Sequence, residues 1–287
     1  MKENKIFGKR FCLFMMIAYL MTLLVPGEVI ATSGGTISTV AGNGTAGSSG
    51  DGGAAWMAQL NYPYGVAVDS GGNLYIADTF NHRIRKVDAS GNISTVAGTG
   101  TAGNPGEGEF ATSANIKYPY GVAVDSGGNL FYVADDGSSR VRKVDASGKI
   151  STVAGNGTAG SSGDGGAAAL AQLYLPYGVA VDSGGNLYIA DTYNQRVRKV
   201  DASGNISTVA GNGTAGSSGD GGAAWMAQLN YPYGVAVDSG GNLYIADTFN
   251  HRIRKVAAEP VPASGLTVTA SDVTGEGTDG ETKISVA

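Results

Sequence analysis

Apolar residues in this chain come in short runs, each closed off by glycine, serine, asparagine or aspartate. Across one stretch the runs are residues 65–69 (GVAVD), 73–78 (NLYIAD), 83–88 (RIRKVD) and 93–98 (ISTVAG). Valine, isoleucine and tyrosine favour the pleated conformation, and the breaks at 70–72 and 89–91 supply the positive φ that tight hairpins need. The pattern predicts four short antiparallel strands. Both faces of the inner strands are apolar, Val66 and Val68 against Ala67, Leu74 and Ile76 against Tyr75 and Ala77. A sheet with one wet face would alternate apolar with polar, so each sheet is expected to lie between two others.

This set of strands recurs every 56 to 57 residues, and residues 37–87 and 206–256 are identical over all 51 positions. Repetition at such a period marks an array whose units bury their apolar surface against one another. The fold class expected is all-β: a β-propeller of four-stranded antiparallel blades spanning residues 35–256, with four repeats visible at about 65–98, 121–155, 178–211 and 234–256. The first unit is preceded by a lone ISTVAG at 37–42, and the last stops at Val256 without its own. The N-terminal strand is therefore expected to complete the last blade, closing a ring and removing exposed edges. A solenoid competes, but it needs capping ends that are not evident.

The segment YPYGVAVDSGGNLYIADTFNHRIRKVD (62–88) resembles the NHL repeat, a β-propeller module. The likeness lies in the proline-x-glycine-valine-alanine entry, the glycine-asparagine-leucine-tyrosine turn and strand, the alanine-aspartate pair and the asparagine-x-arginine-isoleucine step. It covers about 222 of 287 residues. Similar propellers commonly have six blades, so four imply a small ring, a pairing of chains or a fragment. The resemblance also implies a possible enzyme, because the family includes a lyase that cleaves hydroxyglycine peptides with metal-bound histidines, and related propellers include lactonases and a streptogramin lyase. This chain departs from them. Its only histidines, His82 and His251, occupy one repeat position, held by Ser139 and Gln195 in the other units. Two ligands without a third make a poor zinc site, so exposed loop histidines are expected, with no metal and no cofactor. The serines lie in glycine-rich turns, and nothing marks a nucleophile elbow.

The ends carry other signals. Lys2, Lys5, Lys9 and Arg10 precede an apolar run over 11–25, short against the roughly 20 residues of a spanning helix. Residues 1–31 read as a secretory signal peptide, with an uncleaved anchor as the alternative. Its removal takes the only cysteine, Cys12, and leaves 15 basic against 22 acidic residues. Clustered basic residues are lacking, so nucleic acid is an unexpected partner and the membrane enters only through export. Residues 257–264 read as a linker. Residues 265–287 hold two strand-like runs, either the opening of a β-sandwich-like module or a disordered tail.

Loop lengths select a face. The DSGGN and DASGN turns are tight, whereas the connection into each first strand and the ADTFNHR loop are long and open on one side. Long loops on a rigid scaffold are where recognition usually resides. Candidate ligand-binding residues there are Tyr64, Tyr120, Tyr177 and Tyr233, with Phe80, Tyr193, Phe249, His82, His251 and Asp136. Packing over the blade junctions explains the tyrosines equally. Asp51, Asp164 and Asp220 among glycines fall short of a calcium loop; a helix N-cap before the AAWMAQL stretch is the expected role of Asp51, with Trp56 and Leu60 on one helical face. Asp78, Asp135, Asp191 and Asp247 precede an arginine by five residues (Arg83 in the first unit), which predicts a structural pair in each blade. Asp69, Asp125, Asp182 and Asp238 open the DSGGN turns. The second unit is least regular: Glu107, Glu109, Lys117 and Asp136 break the symmetry, whether as one specific site or by drift. The function expected is a secreted, non-catalytic scaffold binding a protein, peptide or glycan ligand, with a metal-assisted lyase or lactonase as the alternative.

Overall fold

The computed structural model describes residues 36–103, 106–125 and 131–258. The expected leader (1–31) and tail (265–287) lie outside the described residues, as does most of the linker. Four antiparallel sheets follow one another along the chain. The first holds β1 (Pro63–Val68), β2 (Leu74–Asp78), β3 (Arg83–Val87) and β4 (Ile93–Ala97). The second holds β5 (Pro119–Val124), β6 (Phe131–Asp135), β7 (Arg140–Val144) and β8 (Ile150–Ala154). The third holds β9 (Pro176–Val181), β10 (Leu187–Asp191), β11 (Arg196–Val200) and β12 (Ile206–Ala210). The fourth holds β13 (Pro232–Val237), β14 (Leu243–Asp247) and β15 (Arg252–Val256). Strands run up and down in sequence order, and the innermost strands stand side by side, β1 against β5, β5 against β9, β9 against β13.

The fourth strand expected from residues 37–42 is not in the last sheet, which ends at β15, and residues 39–42 carry no strand. A strand forms only where its backbone finds a ladder partner, and this segment has none among the described residues. The four blades therefore make an open arc. Val66 on the outer flank of the first blade is 63% exposed, whereas its counterparts Val122 and Val179 are 6% and 8% exposed; Val68 is likewise exposed where its counterparts Val124 and Val181 are half-buried.

Between blades, three cores form. Each takes the trailing face of one sheet, the small residues of the next connection and the leading face of the next sheet. The first joint combines Tyr75, Ala77 and Ile84 with Ala111, Ala114 and Ile116 and then Val122 and Val133. Innermost strands approach so closely that a Cβ on Gly65 would strike the Tyr120 carbonyl; Gly121 stands likewise against Tyr177 and Gly178 against Tyr233. Hydrogen bonds tie the same joints. Thr79 Oγ1 donates to the Pro119 carbonyl (2.6 Å) and Thr192 Oγ1 to that of Pro232 (2.7 Å). His82 Nδ1 accepts from the Tyr118 amide (3.2 Å) and Gln195 Oε1 from that of Tyr231 (2.6 Å). His82, Gln195, Tyr118 and Tyr231 all have φ between 48 and 56°, a left-handed conformation that costs β-carbon-bearing residues energy and that these bonds hold in place.

Within a blade, a buried arginine anchors the long connection. Arg85, 0% exposed, reaches Asp51 Oδ1 through Nη2 and Nε (2.7 and 3.1 Å). Its Nη1 reaches Asp78 Oδ2 and the Gln59 carbonyl (both 3.3 Å). Arg198 repeats this with Asp164 and Asp191, and Arg254 with Asp220 and Asp247. Two expectations are corrected here. The guanidinium that meets Asp78 is Arg85 and not Arg83: both lie on one face of β3, but Arg85 is the fully buried one, and Arg83 at the strand start donates instead to the carbonyls of Ser48 and Thr99. Asp51 is no N-cap. The connection forms one 3-10 turn, Ala55–Met57, whose cap is Ala54 without a side-chain bond, and Trp56 is 58% exposed.

Because removing one partner leaves the other charge buried, Arg198→Met is expected to destabilise by about 3–5 kcal/mol. The equivalent Arg142→Met in the second blade should cost less. Arg142 sits 3.5 Å from Glu107, and its Nε and Nη1 are buried without a partner among the described residues. Urea unfolding of both variants beside the parent checks the order.

Candidate functional site

The first strands of all four blades line one cavity of about 610 Å³, each giving a tyrosine-glycine-valine triplet: 64–66, 120–122, 177–179 and 233–235. Proline opens each of these strands, where its missing N–H breaks no ladder bond, and the tyrosine follows it onto the rim. The four rings form a continuous file. Tyr64 and Tyr120 have centroids 4.7 Å apart, Tyr120 and Tyr177 4.3 Å, Tyr177 and Tyr233 4.8 Å, with interplanar angles of 45 to 71°. Such tilted contacts hide part of each ring face.

A second file of rings lies outside the first. Phe80 packs between Tyr62 (4.9 Å) and Tyr118 (5.5 Å). Tyr193 packs between Tyr174 and Tyr231 (both 5.1 Å), and Phe249 packs on Tyr231 (4.9 Å). Tyr62, Tyr118, Tyr174 and Tyr231 were not among the candidates read from sequence. The signal for three of them was an aromatic immediately before the strand-opening proline, in YPY. The file is interrupted in the second blade, where Gly137 stands in place of Phe80 against Lys117.

The two histidines part company. His82 is half-buried, committed to the Tyr118 amide and stacked edge-on against its ring at 4.6 Å. Burial and the nearby Lys117 charge hold its pKa below the usual histidine value, which suits a neutral acceptor. His251 at the open end of the arc is exposed. No group of three or more histidine, cysteine, aspartate or glutamate side chains able to hold a metal occurs among the described residues. The turn aspartates are fully engaged with their own loops: Asp69 Oδ1 accepts from the amides of Gly71 and Asn73 (3.0 and 2.8 Å), and Asp182 and Asp238 repeat it. Asp125 opens the corresponding turn, of which residues 126–130 lie outside the description.

Asp136 is the exception to the symmetry. It occupies the repeat position of Thr79, Thr192 and Thr248, is 7% exposed, and its Oδ1 has no hydrogen-bond partner among the described residues. Burial, with the Asp135 carboxylate beside it, pushes its pKa up to about 7, against the opposing pull of Lys117. Burial raises Asp135 to about 6. Tyr177 and Tyr120 are raised as well, first by burial and then by the Asp136 charge, so this carboxyl sits beside the central file of rings.

Four up-and-down sheets around a tyrosine-lined axis define a repeat protein of the β-propeller class. The sequence matches the family described as Teneurin NHL domain over residues 27–105 and 158–218, and NHL repeat over residues 229–256. The chain belongs to the NHL-repeat β-propeller family. It is 32% identical over 231 residues to Protein SUPPRESSOR OF QUENCHING 1, chloroplastic, of Arabidopsis thaliana, covering 77% of this chain and 22% of that protein. To Teneurin-4 of Homo sapiens it is 33% identical over 229 residues, covering 71% of this chain and 8% of that one. Among solved structures, a protein of unknown function from Bacteroides thetaiotaomicron VPI-5482 superposes with a TM-score of 0.56 at 28% identity, over 68% of this chain and 47% of that chain. An auxiliary nutrient binding protein from the same organism superposes with a TM-score of 0.52 at 19% identity, over 69% of this chain and 48% of that chain, a likeness of fold. The chain thus spans about half of these structures and under a quarter of the two named sequence relatives. No helix among the described residues is long and apolar enough to cross a membrane.

A carboxyl whose folded-state pKa lies above its unfolded value favours folding while protonated in the fold, and that contribution fades as pH rises through the folded pKa. For Asp136 the window runs from the ordinary 3.8 up to about 7. A threonine there regains the hydroxyl donor used by Thr79 and Thr192. Asp136→Thr is expected to stabilise by about 1–3 kcal/mol at pH 8 and by much less at pH 5. Urea midpoints of parent and variant across that range check it.

Proposed function

We propose that this chain is an exported, non-catalytic NHL propeller scaffold that binds a protein or peptide ligand along the tyrosine-lined cavity. The observation that carries the reading is the file Tyr64–Tyr120–Tyr177–Tyr233, four amphipathic rings 4.3 to 4.8 Å apart around one 610 Å³ concavity. Tyrosines so arranged offer large contact area with little rotamer entropy to lose, which suits an extended or looped peptide. Their mutual tilt covers ring faces that a sugar would stack on, which favours peptide over glycan. Against catalysis, His82 is spent on the blade joint, and its repeat counterpart His251 is exposed in its loop. The leader pattern in residues 1–31 supports export, and similarity to teneurin NHL domains is in keeping with a surface role. Nucleic acid is disfavoured by an acidic balance without basic clusters.

Peptide and glycan arrays probed with the purified protein test the reading. A peptide ligand should emerge, with affinity falling at least about tenfold in Tyr120→Ala/Tyr177→Ala. Ligand binding indifferent to that double variant would reject the site. Turnover of lactones or hydroxyglycine peptides, dependent on metal and lost with His82→Ala, would reject the non-catalytic assignment.

A further inference from the structure

Both ends of the arc are faces that elsewhere in the same molecule are covered. The trailing face of the fourth blade presents Tyr244, Ala246 and Ile253, with Ile253 71% exposed. By the duplication these are the side chains Tyr75, Ala77 and Ile84, which the first blade buries against the second. The leading face of the first blade presents Leu60 and Val66. These repeat Leu229 and Val235, which the fourth blade packs against Tyr188, Val197 and Ala210 of the third. Each open face is thus a replica of one whose mating geometry the structure already contains.

The polar and backbone features of a joint are present at both ends and unused. A Cβ on Gly234 would meet only Ala246, at 3.5 Å, whereas one on Gly178 would meet the Tyr233 carbonyl at 2.5 Å. Thr248 Oγ1 reaches only the Ala246 carbonyl of its own strand (3.2 Å), whereas Thr192 reaches across to Pro232. The carbonyls of Pro63 and Tyr64 are the matching groups at the other end. Strand content is complementary too. Among the described residues the last sheet has three strands, while the ISTVA sequence at 37–41, identical to β12 and to β4, joins no sheet. Gly42 and Asn43 are already held as in the other units, their amides donating to the carbonyls of Ala55 (2.9 Å) and Ala58 (2.8 Å), as Gly211 and Asn212 donate to Ala224 and Ala227.

We propose that the chain self-associates head to tail, the open flank of the fourth blade receiving the first blade of a second copy, whose residues 37–41 add to β15 as its missing strand. Residue pairing follows the internal register: Ala41 opposite Ile253, Thr39 opposite Arg254, as Ala97 lies opposite Ile84 and Thr95 opposite Arg85. The interface is heterologous, so copies close into a ring or extend as a filament according to the rotation each joint imposes.

Sedimentation velocity of the full chain over roughly 1–100 μM reads the outcome. The expected result is a mass rising to two or more chains. Gly234→Val points into the flank that faces open space in the single chain, so its thermal midpoint should stay at the parent value while self-association weakens about 10- to 100-fold. Val66→Glu, on the opposite flank, should do the same, and Thr39→Pro should weaken association by removing a strand donor. Mixing Gly234→Val with Val66→Glu is the decisive arm. Each variant keeps one sound flank, so the mixture should recover a dimer that neither forms alone, and nothing larger. A monomer at every concentration, association undiminished by Gly234→Val, or a mixture that recovers no dimer would each overturn the proposal.

Discussion

The approach of one innermost strand to the next is the constraint on which the rest of this molecule depends. At Gly65, Gly121 and Gly178 the neighbouring blade's tyrosine carbonyl sits where a side chain would be, so the separation of blades is fixed at backbone distance. That spacing brings consecutive tyrosines within 4.3 to 4.8 Å and gives the axis its aromatic lining. It also sets how much room remains for the connection wedged between outer strands, where alanines 111, 114, 168 and 171 are buried together with one larger residue per joint, Ile116 and Leu173. The aromatic lining of the axis and the packing at the rim are consequences of the same close contact.

What holds the wedge in place is electrostatic. An arginine with no exposure is tolerable only with its donors satisfied, and Arg85 and Arg198 each join a strand-end aspartate, a loop aspartate and a backbone carbonyl. The aspartate at the strand end adds the amide of the residue before each left-handed position, as Asp78 does for Asn61 at 2.7 Å. The same carboxylate thus anchors the loop, the strand end and the entry to the next strand. Local strain at residues with φ near 50° is sustained by this network on one side and by the interblade bonds on the other.

Much of this was legible in the sequence. Strand positions follow from alternation and glycine breaks and agree to within two residues, because hairpin turns this short leave little freedom of register. Three things were not legible, each for a reason. Arg85 lies inside a strand and reads as a solvent-facing charge until the wedge covers it. Asp51 precedes an alanine-rich stretch that reads as helix, yet buried alanines at 55 and 58 hold the stretch to one 3-10 turn against the sheet. Closure was inferred from strand counting alone, which establishes that a strand and a vacancy exist but not that one molecule brings them together.

The second blade shows what a repeat gives up when one copy departs from the rest. With Glu107 in place of the loop aspartate, Arg142 loses its bidentate grip, and Asp135 is left with an unpaired oxygen among the described residues. With Asp136 in place of threonine, a joint donor becomes an acceptor unless it holds a proton, and burial raises its pKa to about 7, which favours that proton. These two changes are 29 residues apart in sequence, yet Arg142 pairs with Glu107 and Asp135 adjoins Asp136, so the weakened clamp and the altered joint occur in one blade. That blade also carries the gap in the outer aromatic file at Gly137. Among the joints of this arc, that between the second and third blades differs from the others in charge and in packing, so the cavity has one distinguishable side.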